Sequence, residues 1–221
     1  MTKKLQNRAH AGRLLREKLS AYAKRPDVTV LALSTGGVPV ACEIAAFLSA
    51  PLDVLMVRKL GVSGYDGVTL GAIAAPGVEI TDPDVIEEFH LNQKDVADAV
   101  RTERQAMQES AAVLRSGRPD LDLHGRTAIL VDDGMATGAT MRAAIAGAKK
   151  LGAAHTVVAA GVAPLSTCFL LRGEADDVVC VLTPRELRSI AAAYEHFPQL
   201  SDEDACSLLE QARQAGAPST V

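Results

Sequence analysis

Two carboxylates side by side, Asp132 and Asp133, end the most apolar run of the chain and lead at once into a loop of small residues holding two threonines. The stretch is AILVDDGMATGAT, residues Ala128 to Thr140. Ionised carboxylates only accept hydrogen bonds, and a vicinal diol offers them two donors. The residues that follow, Gly134, Met135, Ala136, Thr137, Gly138, Ala139 and Thr140, form a loop that enters a helix. Its backbone N–H groups and the Thr137 and Thr140 hydroxyls suit a phosphate, and the small side chains allow it to approach closely. A diol beside a phosphate describes a ribose 5-phosphate. The competing reading is that an Asp caps the following helix. One cap needs one Asp, whereas two adjacent carboxylates add repulsion and desolvation that a purely structural site has little reason to carry.

Two other loops carry candidate anion contacts. Ser34, Thr35, Gly36 and Gly37 follow the apolar run VTVLAL, where glycines serve a strand-to-helix turn and also aim amides at an anion. Arg58 and Lys59 follow LDVLMV and precede GVSGYDG; they read either as a solvated charge pair or as cations for an anionic ligand. The glycine-rich stretch is expected to be a mobile loop, either a linker or a cover that excludes water. Tyr194, His196 and Phe197 concentrate the late aromatics and fit tail packing better than stacking on a base. The remaining histidines carry no assigned chemistry.

The elements that must position these residues alternate. An amphipathic helix is expected over His10 to Lys24, then strands at Val28 to Leu33 and Leu52 to Val57, with a helix containing Pro39 between them. Short strands are expected at LGAIAA and VEI, and a long surface helix over Asn92 to Arg115, closed by Gly117 and Pro119. The run TAILV, an Ala-rich helix ending at Gly152, TVVAAGV, a helix from about Thr167 and DDVVCVL complete the alternation. A last helix is capped by Ser201, with acidic residues in its first turn. The pattern predicts an α/β fold, a doubly wound and mostly parallel sheet flanked by helices. Residues 28–182 would be its core, 60–118 a loop and helix insertion, and 183–221 a C-terminal hood or tail helix, all within one domain spanning 1–221. In such sheets ligands lie beyond the carboxyl ends of the strands, where the three loops sit.

With 221 residues, 48% hydrophobic and 23% charged, the chain is long enough to bury a sizeable core. Only 3% is aromatic, so that core is aliphatic. A net charge of −4 argues against nucleic acid or an anionic membrane as partner. The four cysteines lack metal-ligand spacing and read as buried thiols of a reducing compartment. No apolar run approaches the roughly 18 residues of a membrane span, and the N-terminus lacks a signal-peptide core, so the expected location is the cytoplasm. P-loop and dinucleotide-binding fingerprints are absent.

The stretch AILVDDGMATGAT resembles the 5-phosphoribosyl 1-pyrophosphate (PRPP) motif of type I phosphoribosyltransferases. STGGVPVA occupies the place of that family's pyrophosphate loop and VRKLG that of its basic pair. The HAGRLL, VLMVRKLG, LGAIA and SDEDA segments are similar to a group of stand-alone members with unassigned acceptors. The resemblance implies that Asp132 and Asp133 bind the ribose hydroxyls, that Ala136 to Thr140 bind the 5-phosphate, and that Ser34 to Gly37 with Arg58 and Lys59 bind pyrophosphate. It further implies Mg²⁺ carried by PRPP, a nitrogenous acceptor and a homodimer. Where relatives often have Pro-Arg-Gly-Gly, this chain has Ser34-Thr35-Gly36-Gly37, one cation fewer. Ala136 replaces the Asp of purine-salvage members, so the acceptor is expected to be pyrimidine-like or another small nitrogenous compound. Two other classes share the fold: a non-catalytic PRPP or nucleotide-binding module, and a PRPP-sensing regulator. The regulator needs a DNA-binding unit for which the chain before the first strand has little room.

Overall fold

Aliphatic runs with no polar alternation form strands buried on both faces, and the computed structural model, which describes residues 4–214, uses five of them for a parallel sheet. In chain order the elements are α1 (Arg8–Lys18), β1 (Val28–Leu33), α2 (Ser34–Leu48), β2 (Leu52–Leu55), β3 (Val57–Val62), β4 (Tyr65–Ala74), β5 (Val78–Thr81), α3 (Pro83–Glu88) and α4 (Gln93–Leu114). They continue with β6 (Thr127–Gly134), α5 (Ala139–Lys150), β7 (His155–Val162), α6 (Leu165–Leu171), β8 (Asp177–Leu182) and α7 (Asp202–Gln214). The large sheet has the order β2-β1-β6-β7-β8, every pair parallel, and β3-β4-β5 form a separate antiparallel sheet. The α/β class with helices on both faces is therefore as expected.

Successive side chains on a strand point to opposite faces, and here each face has its own core. Val30, Ala32, Ile129 and Val131 pack with Leu15 of α1, Ile44 and Leu48 of α2 and Leu209 of α7. Leu31, Leu33, Ala128 and Leu130 pack on the other side with Met141 and Ile145 of α5. A third cluster joins Leu60, Val62, Leu70 and Ile73 of the small sheet to Val100 of α4. Helix α4 starts on a capping box: Asn92 Oδ1 accepts from the Asp95 amide at 3.1 Å while Asp95 Oδ2 accepts from the Asn92 amide at 2.9 Å. Ser201 and Asp204 repeat the device ahead of α7.

Several expectations are corrected. The opening helix stops at Lys18, followed by one 3-10 turn over Ser20–Tyr22. LDVLMV is two strands in two sheets, parting at Met56, whose carbonyl accepts from the Ala75 amide. GVSGYDG is a hairpin: β3 and β4 pair antiparallel down to Val62 opposite Tyr65, across the two-residue turn Ser63-Gly64. Its glycines mark that turn and a bulge near Gly61, and they masked the strand pattern. The stretch 60–118 therefore holds most of a three-stranded sheet and α3 besides the long helix. The four cysteines are free, yet only Cys168 is fully buried. Residues 1–3 of the opening segment and 215–221 of the expected tail lie outside the described residues.

Strand β2 is one edge of the large sheet, and its outward carbonyls are occupied. Arg118 Nη1 donates to Leu52 O and Arg115 Nη1 to Val54 O, both at 3.0 Å. The same two arginines pair with the buried carboxylate of Asp53, at 2.9 Å from Arg115 and 3.4 Å from Arg118.

Candidate active site

In this strand order the chain leaves β1 toward β2 on one side while β6 lies on the other, so the carboxyl ends of β1 and β6 flank a switch point. A cavity of about 340 Å³ opens there, within the roughly 300–1,000 Å³ typical of small-molecule sites. From β1 and the start of α2 it receives Leu33, Ser34 and Gly36; from β3, Val57, Arg58 and Lys59; from β6 and α5, Asp132 and Thr140. The three loops singled out from sequence thus meet in one place. Glu103 of α4 joins them and pairs with Arg58 Nε at 3.1 Å.

Local geometry explains how each piece is held. The Ser34–Gly37 segment is not a turn ahead of the helix but its first turn, entered through Ser34 at φ +52°. Ser34 Oγ donates to Val57 O at 2.6 Å, which ties the two walls together. A Cβ on Gly37 would lie 2.3 Å from Val131 O, so only glycine lets α2 approach β6 this closely. Thr35 does not line the cavity: its Oγ1 donates to Asp202 Oδ1 of α7 at 2.9 Å. Gly37, pressed on β6, does not line it either.

Beyond β6 the chain passes through Met135, which is buried in the core and donates its amide to Val162 O at 2.8 Å. Ala136 and Thr137 are exposed, and Ala136 O accepts from Thr167 Oγ1 at 2.7 Å. The loop turns at Gly138, φ +83°, into α5, and no side chain caps that helix at Gly138. Its first-turn N–H groups face the loop with the positive end of the helix dipole, an arrangement suited to an anion.

The acidic pair divides. Asp132 is half-buried and lines the cavity. Asp133 is buried, does not line it, and places Oδ2 2.7 Å from Arg8 Nε of α1. Both carboxyls are raised above the ordinary range. For Asp132 the cause is burial and then the charge of Asp133; for Asp133 it is burial, opposed by Arg8. Arg8 is itself enclosed: Nη1 donates to Pro198 O at 2.7 Å, and the guanidinium carbon lies 3.7 Å from the Phe197 ring centre. The Tyr194 hydroxyl donates to the Asp133 carbonyl at 2.5 Å. Gly161 admits that hydroxyl, since a Cβ there would sit 2.1 Å from it. The late aromatics are tail packing, as expected, although His196 is exposed. Sequence reasoning missed Arg8 and Glu103. Each sits among many charged helix residues, and Arg8 meets Asp133 across 125 positions, leaving no local pattern. Among the described residues no cluster of three His, Cys, Asp or Glu side chains could hold a metal, and no helix is long and apolar enough to cross a membrane.

Residues 2–167 match the family described as the phosphoribosyl transferase domain. The chain belongs to that family. Two Mycobacterium tuberculosis proteins bearing a provisional phosphoribosyl transferase name, from strains CDC 1551 and H37Rv, are each 39% identical over 212 residues, 96% of this chain and 48% of theirs. The chain thus spans about half the length of the curated relatives it matches. The crystal structure of TT1426 from Thermus thermophilus is similar with a TM-score of 0.77 at 34% identity, covering 94% of this chain and 98% of that one. Within this phosphoribosyl transferase domain, the site described above occupies the carboxyl ends of the central strands.

Proposed function

We propose that the chain transfers the 5-phosphoribosyl group of PRPP to a nitrogenous acceptor and releases pyrophosphate. The observation that carries this reading is the meeting of Asp132, Thr140, Ser34, Gly36, Arg58 and Lys59 around one cavity at the switch point. Asp132 would accept from the ribose hydroxyls, and the amides from Ala136 to Thr140 with the threonine hydroxyls would hold the 5-phosphate. Ser34, Gly36, Arg58 and Lys59 would hold the pyrophosphate. Displacement at the ribose anomeric carbon develops positive charge on the sugar and negative charge on the leaving group. A carboxylate fixed beside the ring stabilises the first, and the cations and amides the second. Mg²⁺ enters as part of the substrate, bound to PRPP oxygens. The acceptor is proposed to be pyrimidine-like or another small nitrogenous compound, the assembly a homodimer and the location cytoplasmic.

One observation favours a second reading, a PRPP-binding module without turnover: the Ser34–Gly37 segment carries no cation, and its Thr35 hydroxyl is already engaged by Asp202. Incubation with PRPP, Mg²⁺ and a panel of bases, followed by phosphorus NMR, separates the two. Pyrophosphate release dependent on one base supports the transferase, while thermal stabilisation by PRPP without release supports the module. The double variant Asp132→Asn, Asp133→Asn is expected to remove binding or turnover with the fold intact; wild-type behaviour would remove the pair from the site.

A further inference from the structure

The two acidic residues near the carboxyl end of β6 differ in their partners. Asp132 lines the cavity, while Asp133 is bonded to an arginine from the other end of the chain. Two carboxylates at adjacent positions, one half-buried and one buried, resist joint ionisation, since each charge raises the other's pKa and loss of water raises both. A guanidinium in contact with one of them offsets that repulsion. Arg8 is placed for this and is only 8% exposed, with Asp133 at 7%. It is fixed from three sides: by Asp133, by the Pro198 carbonyl and by the Phe197 ring. Tyr194 anchors the main chain of Asp133 from the same tail segment, and Leu5 bridges to Tyr194 in parallel, so the start of the described chain and the segment after β8 meet behind the site.

We propose that Arg8 is a positioning residue for phosphoribosyl transfer: by holding Asp133 as a compensated ion behind β6, it leaves Asp132 as the ionised acceptor for the ribose hydroxyls. This rests on the function proposed above. The charged and titratable groups around Asp132 are Asp133 on its own strand, Arg8 from α1, Tyr194 from the tail, Arg58 and Lys59 from β3, and Glu103 from α4. Arg58 is already shared with Glu103, and Lys59 is exposed across the cavity, so neither substitutes for Arg8.

The test is calorimetric titration of PRPP with MgCl₂ into the full chain across pH, for wild type, Arg8→Ala, Arg8→Lys and the double variant Arg8→Ala, Asp133→Asn. Arg8→Ala should weaken binding at neutral pH at least about tenfold and move the acid limb of the binding profile upward by about one unit, as loss of a neighbouring opposite charge requires. Arg8→Lys should recover part of the affinity. The double variant, which removes the carboxylate that Arg8 neutralises, should bind more tightly than Arg8→Ala alone and bring the acid limb back toward its wild-type position, a return in the pH profile that a merely structural role does not give. If Arg8→Ala fails to fold, Arg8→Gln is compared with Arg8→Gln, Asp133→Asn, and the same rescue is expected. Wild-type affinity in the Arg8 variants, or no rescue in either pair, overturns the proposal while leaving the transferase reading standing. Wild type that binds no PRPP brings down both.

Discussion

Replacing Gly161 by Ala tests how closely the tail must seat behind the site. The added Cβ would fall 2.1 Å from the Tyr194 hydroxyl, 2.6 Å from Asp133 O and 3.2 Å from Ala11 Cβ, so the phenol cannot stay where it is. Overpacking of a filled interior costs about 1–3 kcal/mol, and loss of the Tyr194–Asp133 hydrogen bond about 0.5–1.5 kcal/mol more. Gly161→Ala should therefore destabilise by roughly 1.5–4.5 kcal/mol. Each kcal/mol corresponds to about 2–4 °C in Tm for a chain of this size. Tyr194→Phe removes only the hydroxyl and should cost about 1 kcal/mol. It also removes the atom that meets the new Cβ most closely, so in its background Gly161→Ala should cost less, and the two changes should fall short of additivity by about 1 kcal/mol. Urea unfolding followed by circular dichroism, with all four proteins, gives the cycle. Additive losses, or a Gly161→Ala protein within about 0.5 kcal/mol of wild type, would refute the claim that these atoms share one space.

Other perturbations reach different parts of the molecule. Ile44→Ala in α2, a side chain with no exposure, should lower stability by about 2–5 kcal/mol, read as a lower urea midpoint at unchanged slope. Arg58→Ala should weaken PRPP binding about ten- to hundredfold, the worth of charge-assisted hydrogen bonds, while changing ribose 5-phosphate affinity little; equal loss for both ligands would take Arg58 off the pyrophosphate side. Because the Asp132 carboxyl is raised by burial and by Asp133, the folded form holds its proton to higher pH than the unfolded chain. Its contribution to ligand-free stability should then fall as pH rises from about 4, the unfolded carboxylate range, through the raised value. PRPP affinity should rise over the same window. Thermal melts of wild type and Asp132→Asn across pH, with and without PRPP, isolate this group, and parallel curves for the two proteins would contradict it.

Sequence made the central sheet legible because its strands are buried on both faces, so VTVLAL, TAILV and TVVAAGV appear as unbroken aliphatic runs. Helix α4 was legible through its apolar spacing and the Gly117 and Pro119 beyond its end. The hairpin of β3 and β4 was not, since a turn and a bulge spend their glycines where a loop would also have them. At the site, Asp132 and the loop to Thr140 announced themselves through local order, and the meeting with Ser34, Gly36, Arg58 and Lys59 followed from topology. The separate fate of Asp133 did not. Nothing near it in sequence distinguishes it from Asp132, and its partner belongs to the first helix. Thr35 was equally opaque, because Asp202 reaches it only after α7 has folded back.

The arginines on β2 bear on how this molecule behaves in company. An exposed strand border invites another chain to continue the ladder, and on this side the invitation is withdrawn: Arg115 and Arg118 occupy the Leu52 and Val54 carbonyls that a newcomer would need. Crowded copies of the protein should therefore find no template for strand-by-strand accretion along that border.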